Sequence, residues 1–120
     1  MNKKTLVIGA STKPSRYSFV AIKRLLEKSI EVKALGIQPG SVGPVPIETG
    51  KPDFDNIDTV TLYLNAKNQT DYYDYVISLN PKRVIFNPGA ENQEFLEKLE
   101  KNNIKAEEAC TLVMLSIDGY

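Results

Sequence analysis

The residues best suited to ligand chemistry lie near the start of the chain, at Gly9-Ala10-Ser11-Thr12-Lys13, with Arg16 and Ser18 just beyond. An apolar run, Thr5 to Ala10, leads into them, and a helical pattern follows. A strand that turns through glycine into a helix points free backbone N–H groups at an anion. Gly9 lets the chain turn closely, and Ser11 and Thr12 add hydroxyl donors. Lys13 and Arg16 add positive charge where the helix dipole already favours anions. An ordinary strand-to-helix turn with solvated charges accounts for the same residues equally well, so this segment alone leaves both readings open.

The turn lacks the full G-x-G-x-x-G pattern, so the dinucleotide fingerprint is not met. NAD sites also place an acid at the end of the second strand to hold the ribose hydroxyls. Here that strand ends Leu35-Gly36-Ile37-Gln38, and Glu31 lies at its other end. A nucleotide with an extra ribose phosphate tolerates this absence better, because no carboxylate repels it.

Open α/β sheets bind ligands at the carboxyl ends of their strands. Besides the first turn, three such ends are candidates. Gln38-Pro39-Gly40 forms a turn, for which plain turn chemistry has at least equal weight. Asn65 and Lys67 follow the central strand, where a helix cap is the simpler explanation for Asn65. Asn87-Pro88-Gly89-Ala90 turns a strand into a helix, and Pro88 removes one backbone donor.

The chain contains no histidine, which excludes a Ser-His-Asp triad, a Cys-His dyad and a histidine-based zinc site. The single cysteine, Cys110, is expected to be a buried small hydrophobe, and it suits a reducing cytoplasm. Tyr63, Tyr72, Tyr73 and Tyr75 read as packing and interface residues. Glu97-Glu100 and Glu107-Glu108 read as solvated faces. No organised acid/base pair is visible, and no catalytic residue is assigned.

The elements that position these residues follow from hydrophobic periodicity. Strands are expected over Thr5 to Ala10, Ile30 to Ile37, Ile57 to Asn65 and Arg83 to Asn87. Shorter ones are expected at Val45 to Ile47, where Pro46 argues for an edge, and at Ile104 to Glu108. Helices are expected over Arg16 to Lys28 (capped by Ser15), Gln69 to Leu79, Glu91 to Asn102 and Thr111 to Ile117. Gln38 to Gly43 reads as a loop. Alternating strands and helices predict a Rossmann-like three-layer α/β sandwich, with a mainly parallel sheet of five or six strands.

The 120 residues suit one domain with a core burying roughly two-thirds of the unfolded surface. Fifteen basic and fifteen acidic residues balance to zero, which argues against a nucleic-acid partner and permits self-association, a homodimer included. The start, Met1-Asn2-Lys3-Lys4, is basic, but the apolar stretch after it is too short for a signal core or a membrane span.

Taken in order, these segments resemble the small stand-alone CoA-binding proteins, related to the CoA-binding domain of the succinyl-CoA synthetase alpha subunit. The resemblance is carried by Val7 to Phe19, with Pro14, Arg16 and Ser18 in the expected places, and by Gln38-Pro39. Asn56-Ile57-Asp58-Thr59-Val60, Phe86-Asn87-Pro88-Gly89-Ala90 followed by Glu94, and Glu108-Ala109-Cys110-Thr111 continue it. It implies that Gly9 to Ser11 hold the phosphates of coenzyme A. Gln38-Pro39 and the turn after Leu64 would flank the adenosine, and Asn87 to Ala90 would line the rest of a groove. Family members commonly carry Asn where this chain has Gln38, and often Gln near Asn87. The ligase domains that work beside CoA are absent, so synthetase activity is not implied. The expected function is therefore a small-molecule nucleotide-binding module for coenzyme A or an acyl-CoA. The alternatives are an NADP-using oxidoreductase-like protein and a homodimeric scaffold.

Overall fold

The computed structural model describes residues 3–120, so Met1 and Asn2 of the basic start lie outside the described residues. The first apolar run becomes strand β1, Thr5–Ile8, with all four residues buried. Burial on both faces is what a continuous apolar run requires of a central parallel strand. β1 pairs in parallel with β2, Val32–Leu35, on one side and with β5, Thr59–Leu62, on the other.

Seven strands form one sheet in the order β3 (Gly40–Val42), β4 (Val45–Glu48), β2, β1, β5, β6 (Arg83–Phe86) and β7 (Lys105–Glu108). The seventh strand corrects the expected five or six. It is β3, Gly40–Val42, inside the segment read as a loop. Its residues are Gly, Ser and Val, too few and too mixed to show alternation. The chain reverses through Gly43, at φ +56°, and Pro44 into β4, Val45–Glu48, with Val42 facing Val45. This antiparallel hairpin also moves Pro46 off the sheet edge. β4 is flanked by β3 and β2, and its parallel pairing with β2 uses Ile47 and Glu48, beyond Pro46. Pro46 faces Ser41, one step from the hairpin's closing pair. Such a position makes no ladder hydrogen bond between the two hairpin strands, so the missing N–H costs nothing there.

Helices cover both faces, giving three layers. On one side α1, Tyr17–Glu27, lies with α5, Thr111–Ser116. Ile22, Leu25 and Leu115 from these helices pack with Val7, Val32 and Ala34 of the sheet. On the other side are α3, Tyr73–Leu79, and α4, Gln93–Lys101. Tyr73, Val76, Phe95 and Leu99 pack on Leu6, Ile8, Val60, Leu62, Val84 and Phe86. The period of two along the strands sends Leu6 and Ile8 to one core and Val7 to the other.

Two helix starts differ from expectation. Ser15 does not cap α1. Arg16 stands at the N-cap position with extended backbone and makes no side-chain cap. The helical stretch before Leu79 is broken into α2, Ala66–Gln69, a single 3-10 turn at Thr70–Tyr72, and α3. The earlier start follows from Asn65, whose Oδ1 accepts the Asn68 N–H and caps α2. α3 ends at Asn80 in the left-handed region, directly before Pro81, as the Asn-Pro pair predicts.

Candidate functional site

The strand order reverses between β1 and β5, because β1 runs on to β2 on one side while β5 begins the other half of the sheet. Loops leaving a parallel sheet at such a switch point diverge and open a crevice. At β1 the ladder ends with Gly9 at φ +94°. A Cβ there would lie 3.0 Å from the Tyr63 carbonyl carbon and 3.2 Å from Leu64 Cδ2. Glycine is thus required twice, for the backbone angle and for the close approach of the β5 exit.

Gly36 supplies a second close approach. A Cβ there would stand 2.5 Å from the Ala10 carbonyl oxygen and 2.9 Å from Ile47 Cγ2. The Gly9 and Ala10 amides both donate to the Leu35 carbonyl, at 3.0 and 2.8 Å. These two N–H groups, expected to face a phosphate, are therefore turned toward β2. The donors available to an anion begin further on. The Lys13 N–H donates to Ser11 Oγ, which shapes the loop, and the Arg16 N–H donates to the Lys13 carbonyl. The α1 start has no side-chain cap, so its first-turn amides remain to meet an incoming group.

These loops enclose a groove of about 930 Å³. Gly9, Ala10, Ser11, Thr12, Lys13, Arg16, Ser18, Gln38, Pro39, Asn65, Pro88, Gly89 and Ala90 all line it. Four strand ends, from Gly9 to Ala90 in sequence, thus share one wall system. The charged lining residues are Lys13, Arg16, Lys67 and Asp71, an excess of positive charge beside the positive end of α1.

Asn87 stands apart from the other candidates. It is buried, and its side chain is committed to the protein. Nδ2 donates to Thr61 Oγ1 at 2.6 Å and to the Leu62 carbonyl at 2.9 Å, while Oδ1 accepts the Thr111 N–H at 2.9 Å. Asn87 ties β5, β6 and the start of α5 together. Asn65, though in the groove wall, spends its Oδ1 on the α2 cap.

Residues not assigned to the site in the sequence also build the groove. Tyr17, Gly36, Ile37 and Asp71 line it, as do Tyr63 and Tyr72, which read in the sequence as packing residues. A glycine inside an apolar strand pattern is itself a signal of close backbone approach, and Gly36 was legible in that way. Gln69, fully buried, is the hidden brace. Its Nε2 donates to the Leu64 and Ala90 carbonyls at 2.8 and 2.7 Å, and its Oε1 accepts from Asn92. It joins the β5 exit to the β6 exit across the groove floor.

A smaller cavity of about 230 Å³ adjoins the groove, walled by Tyr17, Tyr63, Asn87, Pro88, Cys110 and Leu112. Cys110 is half-buried on this wall, not sealed in the core as expected. The turn after β7, where the Ala109 N–H donates to the Phe86 carbonyl, carries it to the carboxyl ends of β5 and β6 before α5 begins. Tyr63 borders both spaces, and its hydroxyl oxygen is enclosed without a partner in hydrogen-bonding geometry. Burial pushes that phenol up to about 12, against the opposing pull of the nearby Thr111 and Thr61 hydroxyls.

The groove fits a phosphate-bearing nucleotide on two counts. Gly9 and Gly36 keep the loops close where any Cβ would force them apart, and an uncapped helix start lies beside Lys13 and Arg16. Among the described residues, no helix is long and apolar enough to cross a membrane.

Comparison with known proteins agrees with this arrangement. The family model described as a CoA binding domain matches residues 3–116. The crystal structure of an uncharacterized protein is 44% identical and superposes with a TM-score of 0.97, covering 100% of this chain and 99% of that one. A Thermus thermophilus protein, cell-free ID.343, is 19% identical with a TM-score of 0.87 over 99% of this chain and 91% of its own. A hypothetical protein from Pyrococcus horikoshii OT3 is 24% identical with a TM-score of 0.84 over 98% and 85%. The last two show a shared fold. No curated protein matches the chain. With the family model spanning nearly every described residue and the groove lying at the switch point of its sheet, this chain belongs to the CoA binding domain family.

Proposed function

We propose that the groove binds coenzyme A or an acyl-CoA, and that the domain acts as a nucleotide-binding module without catalysis of its own. The observation that carries this reading is the convergence of the uncapped α1 start, Lys13 and Arg16 on one groove long enough to reach Gln38 at one end and Pro88 at another. The pyrophosphate would meet the α1 amides and the two cations. Lys67 stands on the far wall for a further phosphate. The β2 exit, Gly36-Ile37-Gln38, offers the adenosine ribose no carboxylate, which suits a phosphorylated ribose. Membership of the CoA binding domain family supports the same ligand.

Titration calorimetry with coenzyme A tests the proposal. Saturable binding in the micromolar range is expected, weakening as salt rises, because the cations are exposed. Arg16→Ala removes one charge-assisted contact and should cost about 1.5–3 kcal/mol of binding. A folded protein that takes up no coenzyme A at high micromolar concentration refutes the reading. Tight NADPH binding in its place would favour the oxidoreductase-like alternative.

A homodimer is a further proposal. Val113 on α5 and Ile117 at its C-cap, 54% and 70% exposed, lie four residues apart and leave apolar surface uncovered. Sedimentation that returns a monomer at high concentration would remove it.

A further inference from the structure

The smaller cavity differs in chemistry from the groove it adjoins. Tyr17, Tyr63 and Pro88 line both spaces, so the two adjoin at these side chains. Yet no Lys, Arg, Asp or Glu lines the smaller one. Of its polar members, the Tyr63 hydroxyl is enclosed without a partner, and the Asn87 amide is spent on the protein behind the wall. Asn87 donates to Thr61 Oγ1 and the Leu62 carbonyl and accepts from Thr111. The Thr61 and Thr111 hydroxyls are bonded to each other at 2.8 Å. What remains is the apolar surface of Leu112, Pro88 and the tyrosines, with the Cys110 thiol on one wall.

We propose that this cavity receives the thiol end of the groove's ligand together with a short aliphatic acyl group carried on it. The inference rests on the CoA-type ligand proposed above and names where its reactive end lies. Charge separates the two halves of such a ligand. Its phosphates need the cations of the groove, and its sulfur and acyl carbons need a wall without charge. Size limits the acyl group. If each heavy atom takes on the order of the ~30 Å³ that a water occupies in the liquid, the cavity holds roughly seven or eight heavy atoms. A thioester bearing about four carbons fits, and a long fatty acyl chain does not. The same geometry sets the ligand's sulfur beside Cys110.

Two measurements test this together. Calorimetry compares coenzyme A, butyryl-CoA and decanoyl-CoA on the wild type, Leu112→Trp and Leu112→Ala. Each methylene moved from water to the apolar wall favours binding by up to about fourfold. Butyryl-CoA should bind about tenfold tighter than coenzyme A, and decanoyl-CoA should gain nothing further. Leu112→Trp fills the cavity and should erase the butyryl gain, so that butyryl-CoA and coenzyme A bind alike. Leu112→Ala enlarges it and should let the longer chain gain. Leu112 is only partly buried, and the alanine variant keeps the test open if the tryptophan variant does not fold.

The second measurement is a proximity trap with CoA disulfide. Attack by the Cys110 thiolate breaks the probe's S–S bond and forms a new one, leaving Cys110 joined to one CoA. The other leaves as its thiolate and takes up the proton that Cys110 lost. Mass spectrometry should show this adduct forming at least tenfold faster than with glutathione disulfide, and excess coenzyme A should slow it. If coenzyme A binds but butyryl-CoA binds no tighter and the two disulfides react alike, the cavity is not the subsite, while the ligand reading stands. If no CoA species binds at all, both fall.

Discussion

Truncating Asn87 to Ala tests whether the site's frame is held by one side chain. The perturbation removes three hydrogen bonds of 2.6, 2.9 and 2.9 Å in a buried setting. Thr61 Oγ1 keeps its bond to Thr111 Oγ1 and is not stranded. The Leu62 carbonyl loses one partner. The Thr111 N–H loses its acceptor, which alone costs about 1–3 kcal/mol when the group stays dry. Adding about 1 kcal/mol for the net worth of the other bonds gives a loss of about 3 kcal/mol. That is a large share of the 5–15 kcal/mol typical of a domain. At this chain length it lowers the melting temperature by about 10 °C. Urea unfolding followed by far-UV dichroism measures it, with an unchanged slope and a lower midpoint. Asn87→Asp sharpens the test, because it keeps an acceptor for Thr111 and loses both donors. Its deficit should shrink as pH falls and the carboxyl regains a proton to donate. A loss under about 1 kcal/mol for Asn87→Ala would refute the view that this residue ties β5, β6 and α5 together.

Four further outcomes rest on the same structure. Gly36→Ala puts a methyl 2.5 Å from the Ala10 carbonyl oxygen, so it should cost about 1–3 kcal/mol by calorimetric melting and displace the Ala10 loop. Gly43→Ala meets nothing within 4 Å, so its cost should come from the backbone angle alone, about 1 kcal/mol. Gln69→Ala cuts the brace between the Leu64 and Ala90 carbonyls, and should lower the urea midpoint by the equivalent of about 2–4 kcal/mol and weaken coenzyme A binding as well. Alkaline titration followed by tyrosinate absorbance should show late ionisation of Tyr63, Tyr75 and Tyr120 among the six tyrosines. Burial raises Tyr63 and Tyr75 to about 12, so the folded state holds protons that the unfolded chain releases near pH 10. Their stabilisation is complete below pH 10 and is lost as pH rises toward 12. All six titrating together near pH 10 would contradict this.

The amino-acid sequence by itself settled the architecture. Apolar runs such as Leu6 to Ile8 and Val84 to Phe86 are buried on both faces, as in a parallel sheet covered by helices on each side. It also pointed to strand ends bordered by Gly, Ser, Lys and Asn, which are local signals and which line one groove. Tertiary structure decided what each residue does there. Asn87 and Asn65 look alike as polar residues after strands. One is a buried tie among three elements and the other a helix cap, and that depends on partners up to 26 positions away. The Gly9-Ala10-Ser11 turn kept its place but changed its donors, because the Leu35 carbonyl captures the first two amides. Strand β3 stayed hidden because three residues carry no periodicity, and its pairing exists only once Gly43 folds it back on β4. Cys110 and Leu112 carry no signal of a cavity in their own segment. The cavity exists because three separate chain segments approach them, and a void is a property of packing that no single stretch of sequence encodes.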